Sequence, residues 1–109
     1  EIVVYWAWRI DHRIKREGWA EWERENGKTR KLSVTEYLRQ NFFITTSGVF
    51  DTAGLMHALD VMGPERVLYS VDYPYESTVQ ARDWFNSLDL PADQLEMIAA
   101  GNARRGLKL

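Results

Sequence analysis

The sequence predicts an α/β fold built from parallel βαβ units, and three observations predict it. Two short runs rich in β-branched and aromatic residues, 42–46 and 66–71, alternate with stretches of helical periodicity. The connections between them are short, which favours right-handed parallel crossovers. The second run is apolar along most of its length, as strands buried on both faces of a parallel sheet are. The expected order is α, β, α, β, α, α. Two or three strands cannot close a barrel, and a parallel sheet this small leaves edges unpaired. The segment is therefore expected to need more sheet from the rest of its chain.

The elements follow in order. The opening segment, EIVVYWAWRIDHRIKR, has strand-like residues in its first half and a basic end that suits a helix C-terminus, so its residues alone leave strand and helix both open. Residues 15–31 alternate charge sign and carry two glycines, the pattern of an exposed and mobile connection, although Trp19 and Trp22 lie three apart and could pin it to another surface. Ser33 opens a helix as N-cap, with Glu36 completing a capping box and Tyr37 and Leu38 on the buried side; it ends near Asn41. A strand over 42–46 runs into a Ser47-Gly48 turn. A helix then starts at Asp51 or Thr52, buries Leu55, Leu59 and Met62, and stops at Gly63-Pro64. After the strand over 66–71 and the stretch Asp72-Tyr73-Pro74, a helix over 78–88 buries Ala81, Trp84, Phe85 and Leu88. A last one starts near Pro91 and buries Leu95 and Ile98.

The totals set bounds. With 109 residues, 45% hydrophobic and 28% charged, the chain has material for one modest core, so residues 1–109 are expected to belong to a single domain. Fourteen basic residues against sixteen acidic give a net charge of −2, which argues against nucleic acid or an anionic membrane as partner. There is no cysteine, which rules out disulfides and thiolate chemistry and fits a cytoplasmic setting. The longest apolar run, residues 2–8, is far short of the roughly 20 residues of a membrane helix. The chain opens on Glu1 and an apolar run rather than on a methionine and a polar terminus, which reads as a cut end.

Asp72 is the foremost candidate for chemistry. It stands in SVDYP at the C-terminal end of a predicted strand, where α/β folds place catalytic groups. There an aspartate can bind a divalent cation through oxygen or carry a proton; it can equally do no more than cap the turn before Pro74. In WRIDHR, Arg9, His12 and Arg13 share a helical face, and a guanidinium aimed at a cleft would bind a carboxylate bidentately. The plainer account is an Asp11 ion pair on a solvated face. His57, in mid-helix, is a surface or packing residue. Phe42, Phe43, Phe50, Tyr73 and Tyr75 sit at strand ends, where one or two could line a pocket. No phosphate loop, Ser-His-Asp set or HExxH pattern is present.

At WRIDHR, NFFITTSGVF, RVLYSVDYPYE and GNARRGLKL, four motifs in order over nearly the whole chain, the sequence resembles the metal-dependent decarboxylases of 2,3-dihydroxybenzoate, γ-resorcylate and salicylate in the amidohydrolase superfamily. The resemblance implies a (β/α)₈ TIM barrel about three times this length, of which this chain would be strands seven and eight with the closing helices, the N-terminal remainder supplying the other strands. It also turns the opening segment into a helix. Glu1 looks like the glutamate of the family's HxGE motif, Arg9 like the arginine that addresses the substrate carboxylate, and Asp72 like the strand-eight aspartate that ligates the metal and delivers the proton. Pro74, Tyr75 and Glu76 resemble the PFE stretch beside the pocket. Two departures bear on substrate choice: Val49 stands where asparagine is common after TTSG, and DYPYE replaces DWPFE.

The implied function is non-oxidative, reversible decarboxylation of a hydroxylated benzoate, a small aromatic carboxylic acid, with a divalent metal (Zn, Mn or Mg), in a homo-oligomer, dimer or tetramer, anchored in part by Trp19 and Trp22. The piece by itself carries too few ligands and is expected to be inactive. The alternatives are a metal-dependent hydrolase of a lactone or amide in the same superfamily, and a non-catalytic interaction module.

Overall fold

The computed structural model describes residues 2–109, for Ile2 the backbone alone. They form two compact units, one up to Phe42 and the other from Phe43 to Leu109.

The first unit is helical. The opening segment is a helix, α1 (Ile2–Arg16), with Arg13, Lys15 and Arg16 in its last turn, where cations complement the helix dipole. Val4 and Ala7 are its buried residues. Residues 15–31 are an irregular connection only in part: a turn at Glu17 and Gly18, the latter at φ 69°, leads into α2 (Trp19–Glu25), and 26–31 then run without helix or strand. The sequence of α2, WAEWERE, consists mostly of good helix formers, and a salt bridge between Glu23 and Arg30 ties the returning chain to it. The glycines punctuate two helices here and do not mark a flexible tract. Next, α3 (Val34–Asn41) starts with the expected capping box of Ser33 and Glu36 and buries Leu38, while Tyr37, placed on the buried side by its periodicity, is exposed.

In the second unit β1 (Ile44–Thr45) and β2 (Val67–Leu68) pair in parallel, Ile44 with Val67 and Thr45 with Leu68, joined through α4 (Thr52–Met62). This is the expected βαβ unit with shorter strands, and the reasons are specific. Phe42 is spent closing α3, its N–H donating to Leu38. Arg66 belongs to a 3₁₀ turn, Pro64–Arg66. The amide of Tyr69 donates to Ile98 at 2.9 Å instead of to a strand. Asp51 caps α4 by accepting from the Gly54 amide at 2.6 Å, and Gly63, at φ 87°, ends it in a conformation that suits glycine.

Beyond β2 come α5 (Thr78–Asn86), capped by Ser77, and α6 (Ala92–Glu96), which runs through one wide π turn (Met97–Gly101) into α7 (Asn102–Leu107). Leu55, Val67, Leu88 and Ile98 form the centre of the core, with Ile44, Leu59, Tyr69 and Phe85 half-buried around them. Each fully buried aliphatic side chain of this kind contributes about 1.5–3 kcal/mol. Among the described residues no helix is long and apolar enough to cross a membrane.

Candidate active site

The site is built outward from β2. After Leu68 the chain stays extended beside β1, and a side chain takes over the pairing. The Thr46 amide donates to Leu68 at 3.0 Å. The Thr46 hydroxyl, almost fully buried, accepts from the Ser70 amide at 3.0 Å and donates to the Ser70 carbonyl at 2.9 Å. The Gly48 amide then reaches the Val71 carbonyl at 3.3 Å. The next residue is Asp72.

Asp72 is exposed and has φ 80°, in the left-handed region that costs a non-glycine residue about 1–3 kcal/mol, with aspartate among the more tolerant. Its carbonyl accepts from the amides of Tyr75 at 2.9 Å and Glu76 at 3.1 Å, so the turn is closed by backbone. The carboxylate is not consumed as a cap, and no described residue donates to it. Gly48, itself at φ 70°, lies so near that a Cβ placed there would stand 3.5 Å from Asp72 Oδ2. Pro74, after a cis peptide bond, and Tyr75 follow on the same exposed turn. Asp72, Pro74 and Tyr75 are thus brought together. Glu1 lies outside the described residues.

Arg9 belongs to the other unit, exposed on α1. It borders a groove of about 470 Å³ lined also by Trp6, Ile10, Trp19 and Trp22. Arg13 and Arg30, on the same groove, are paired with Glu17 and Glu23, whereas the Arg9 guanidinium has no ion pair among the described residues. His12 stacks on Trp8, with ring centroids 4.9 Å apart and planes within 8°. Asp11 is not in a surface ion pair. Its carboxylate accepts from the amides of Val34 at 2.7 Å and Thr35 at 3.1 Å and from the Thr35 hydroxyl at 2.6 Å, so it caps α3 from outside that helix. Burial works to raise its pKa, but the hydrogen bonds from Thr35 and Val34, with Lys15 nearby, outweigh this and hold it below the usual aspartate value.

Of the five strand-end aromatics, Phe50 packs on Trp84 and Phe43 lies under Arg66, at 5.8 and 5.0 Å between centres. Tyr73 and Tyr75 are exposed. Two residues that sequence reasoning missed matter to the site. One is Thr46. The other is Asn102, wholly buried, whose amide donates to the carbonyls of Pro64 and Val67 at 2.7 Å each and so holds β2 from the opposite side. Its position seven residues after Leu95 and four after Ile98, on the buried helical face, was the available signal.

Among the described residues no three histidines or carboxylates converge on a point. Among the described residues the Asp72 carboxylate, which none of them donates to, is an oxygen donor of the kind that hard divalent ions accept. The described residues do not offer a complete set.

An aspartate just past a parallel strand of a βαβ scaffold stands where α/β barrels place reactive groups. The amidohydrolase family model matches residues 4–109, and the chain belongs to that family. It is 38% identical over 109 residues to the γ-resorcylate decarboxylase of Rhizobium sp. (strain MTP-10005), all of this chain against 32% of that protein. The 5-carboxyvanillate decarboxylase structure from Sphingomonas paucimobilis superposes with a TM-score of 0.82 at 37% identity, over 98% of this chain and 31% of that one. The dihydroxybenzoic acid decarboxylase of Polaromonas sp. JS666, with bound manganese and the inhibitor 2-nitroresorcinol, superposes at 0.77 with 31% identity, over 98% and 31% of the two chains. The chain spans about a third of the length of these relatives. The fold is that of the closing βα units of an amidohydrolase TIM barrel.

Proposed function

We propose that the protein carrying this chain is a metal-dependent, non-oxidative decarboxylase of hydroxylated benzoates, both units being parts of one barrel domain. The observation that carries this reading is the Asp72 carboxylate, presented four residues past the parallel strand in a left-handed conformation, with no described residue donating to it. The likeness to three aromatic-acid decarboxylases supports the reaction and the substrate class.

In this reading Asp72 ligates the metal and also carries the proton. A divalent ion, manganese, zinc or magnesium, when bound would supply positive charge for the carboxylate and the ortho phenolic oxygen of the acid. Asp72 passes a proton from its carboxyl oxygen to the ring carbon that bears the carboxylate. The new C–H bond takes an electron pair from the ring, and the breaking C–C bond returns one as carbon dioxide leaves; water then restores the proton to Asp72. Arg9, without an ion pair among the described residues and on a groove lined by tryptophans, suits an aromatic acid, its planar fork taking the carboxylate. Pro74 and Tyr75 border the ring, and Glu1 assists in the acid–base chemistry. Read backward, the reaction carboxylates a phenol. Trp19 and Trp22, both half-exposed, support a homo-oligomer, dimer or tetramer, in which they meet a neighbouring subunit.

The test is Asp72→Asn in the whole protein, assayed for carbon dioxide release from 2,6-dihydroxybenzoate and for bound metal. Loss of a general acid costs about 10²–10⁴ in kcat, and metal content should fall with it. Wild-type turnover with metal retained would reject the reading.

A further inference from the structure

We infer that Thr46 is a positioning residue for the Asp72 carboxylate, its buried hydroxyl replacing one rung of the parallel ladder and so deciding where the strand hands over to the reactive turn. The inference rests on the role proposed for Asp72 and goes beyond it, since Thr46 touches neither substrate nor metal in that scheme.

The backbone pairing between the strands ends at Thr45 and Leu68. Beyond it the Ser70 N–H and C=O face β1, where a further strand residue would meet them with a carbonyl and an amide. They meet one hydroxyl instead, accepting at 3.0 Å and donating at 2.9 Å. A threonine hydroxyl has one proton to give and two lone pairs, so it satisfies both halves of Ser70 at once. The β-branch at Thr46 restricts χ1 and holds the oxygen where both bonds can form. Two residues on, Asp72 must enter the left-handed region, and a non-glycine residue stays there only when its neighbours over-determine it. Thr46 fixes Ser70 and Gly48 fixes Val71, Gly48 itself standing at φ 70°, where a side chain would be strained. The two consecutive residues before the turn are thus set by one segment, 46–48. Both bonds of Thr46 are 24 residues distant in sequence, so no local preference of the SVDYP stretch can replace them.

The substitutions that isolate the hydroxyl are Thr46→Val, which keeps the shape, and Thr46→Ser, which keeps the bonds. In the whole protein, Thr46→Val is expected to lower kcat at saturating metal by about tenfold or more and to weaken manganese binding, followed by metal titration, by a similar factor. KM should stay within about threefold, because Thr46 touches no substrate group in the proposed scheme. Thr46→Ser should restore kcat and metal affinity to within about threefold of wild type. A merely structural threonine would change the yield or melting of the protein and leave kcat per folded site and manganese affinity alone. That result overturns the inference, as does a serine variant as impaired as the valine one. If the valine variant does not fold, Thr46→Cys, with its long and weak hydrogen bonds, serves in its place, and wild-type kcat and affinity there refute the inference equally. Asp72→Asn run in parallel separates the two failures. An active Asp72→Asn removes the underlying reading, whereas an inactive Asp72→Asn beside a normal Thr46→Val removes the role of Thr46 alone.

Discussion

Asn102→Ala should destabilise the second unit by about 2–5 kcal/mol, a large part of the 5–15 kcal/mol of a typical domain. The side chain is 0% exposed and its amide spans two main-chain carbonyls, Pro64 and Val67, at 2.7 Å. Removing it costs the hydrogen bond to Pro64, about 0.5–1.5 kcal/mol, since that carbonyl keeps the Val67 N–H, and leaves the buried Val67 carbonyl without a donor, about 1–3 kcal/mol. The space vacated adds roughly half a kcal/mol at about 24 cal/mol per Å³. Arg105, which donates at 2.9 Å both to Asn102 Oδ1 and to the Glu65 carbonyl, would keep only the second contact. Asn102→Leu fills the space and separates the terms: it should lose most of the same stability, because the Val67 carbonyl is still left without its donor, whereas Pro64 keeps the Val67 N–H. The assay is urea unfolding of the whole protein followed by a probe within residues 43–109. A loss under about 1 kcal/mol for both variants would show that the Val67 carbonyl finds another donor, and the clamp assigned to Asn102 would be withdrawn.

Two further outcomes follow from other contacts. Asp11→Ala should cost about 1 kcal/mol as a lost helix cap. Because the carboxyl has a lowered pKa in the fold, its contribution is present above its unfolded value and lost as pH falls through the folded one. The gap in melting temperature between wild type and variant should therefore shrink from pH 7 toward pH 3, and a widening gap would contradict the assignment. Gly106→Ala should gain less than the roughly 1 kcal/mol that alanine offers in a helix, since its Cβ would meet Phe43 at 3.0 Å while Arg66 lies over that ring. In a Phe43→Leu background the full gain should appear in thermal melts, and an equal gain in both backgrounds refutes the clash.

Helices were legible where their chemistry is local. Ser33 with Glu36, Asp51 and Gly63-Pro64 each act on amides or carbonyls within a turn, and each stands where the periodicity placed it. The strands were legible in existence and order but not in length, because Tyr69 and Ser70 are claimed by Ile98 and Thr46, far away in sequence. Helix α2 was hidden by its own charge alternation, which describes a solvated helix as well as a loop. For the site, Asp72 could be found because position at a strand end is itself informative. Thr46 could not, for a threonine in a β-branched run looks like any strand residue until its partner is known. Arg9 was legible as a cation on a helical face; that Arg13 and Arg30 are paired and Arg9 is not required the contacts.

The double hold on β2 also bears on the order in which the molecule is made. One clamp closes across 24 residues of chain and the other across 35. Loop entropy separates two such closures by only a few tenths of a kcal/mol, so in refolding from denaturant they compete nearly as equals. On the ribosome they do not. Thr46 precedes the strand and can grip it as it emerges, whereas Asn102 follows Val67 by 35 residues, roughly 2–7 s at about 5–20 residues per second. For that interval a nascent chain holds Asp72 on a strand fastened along one side only, and translation speed past residue 67 sets how long the unfinished edge is open to a wrong partner.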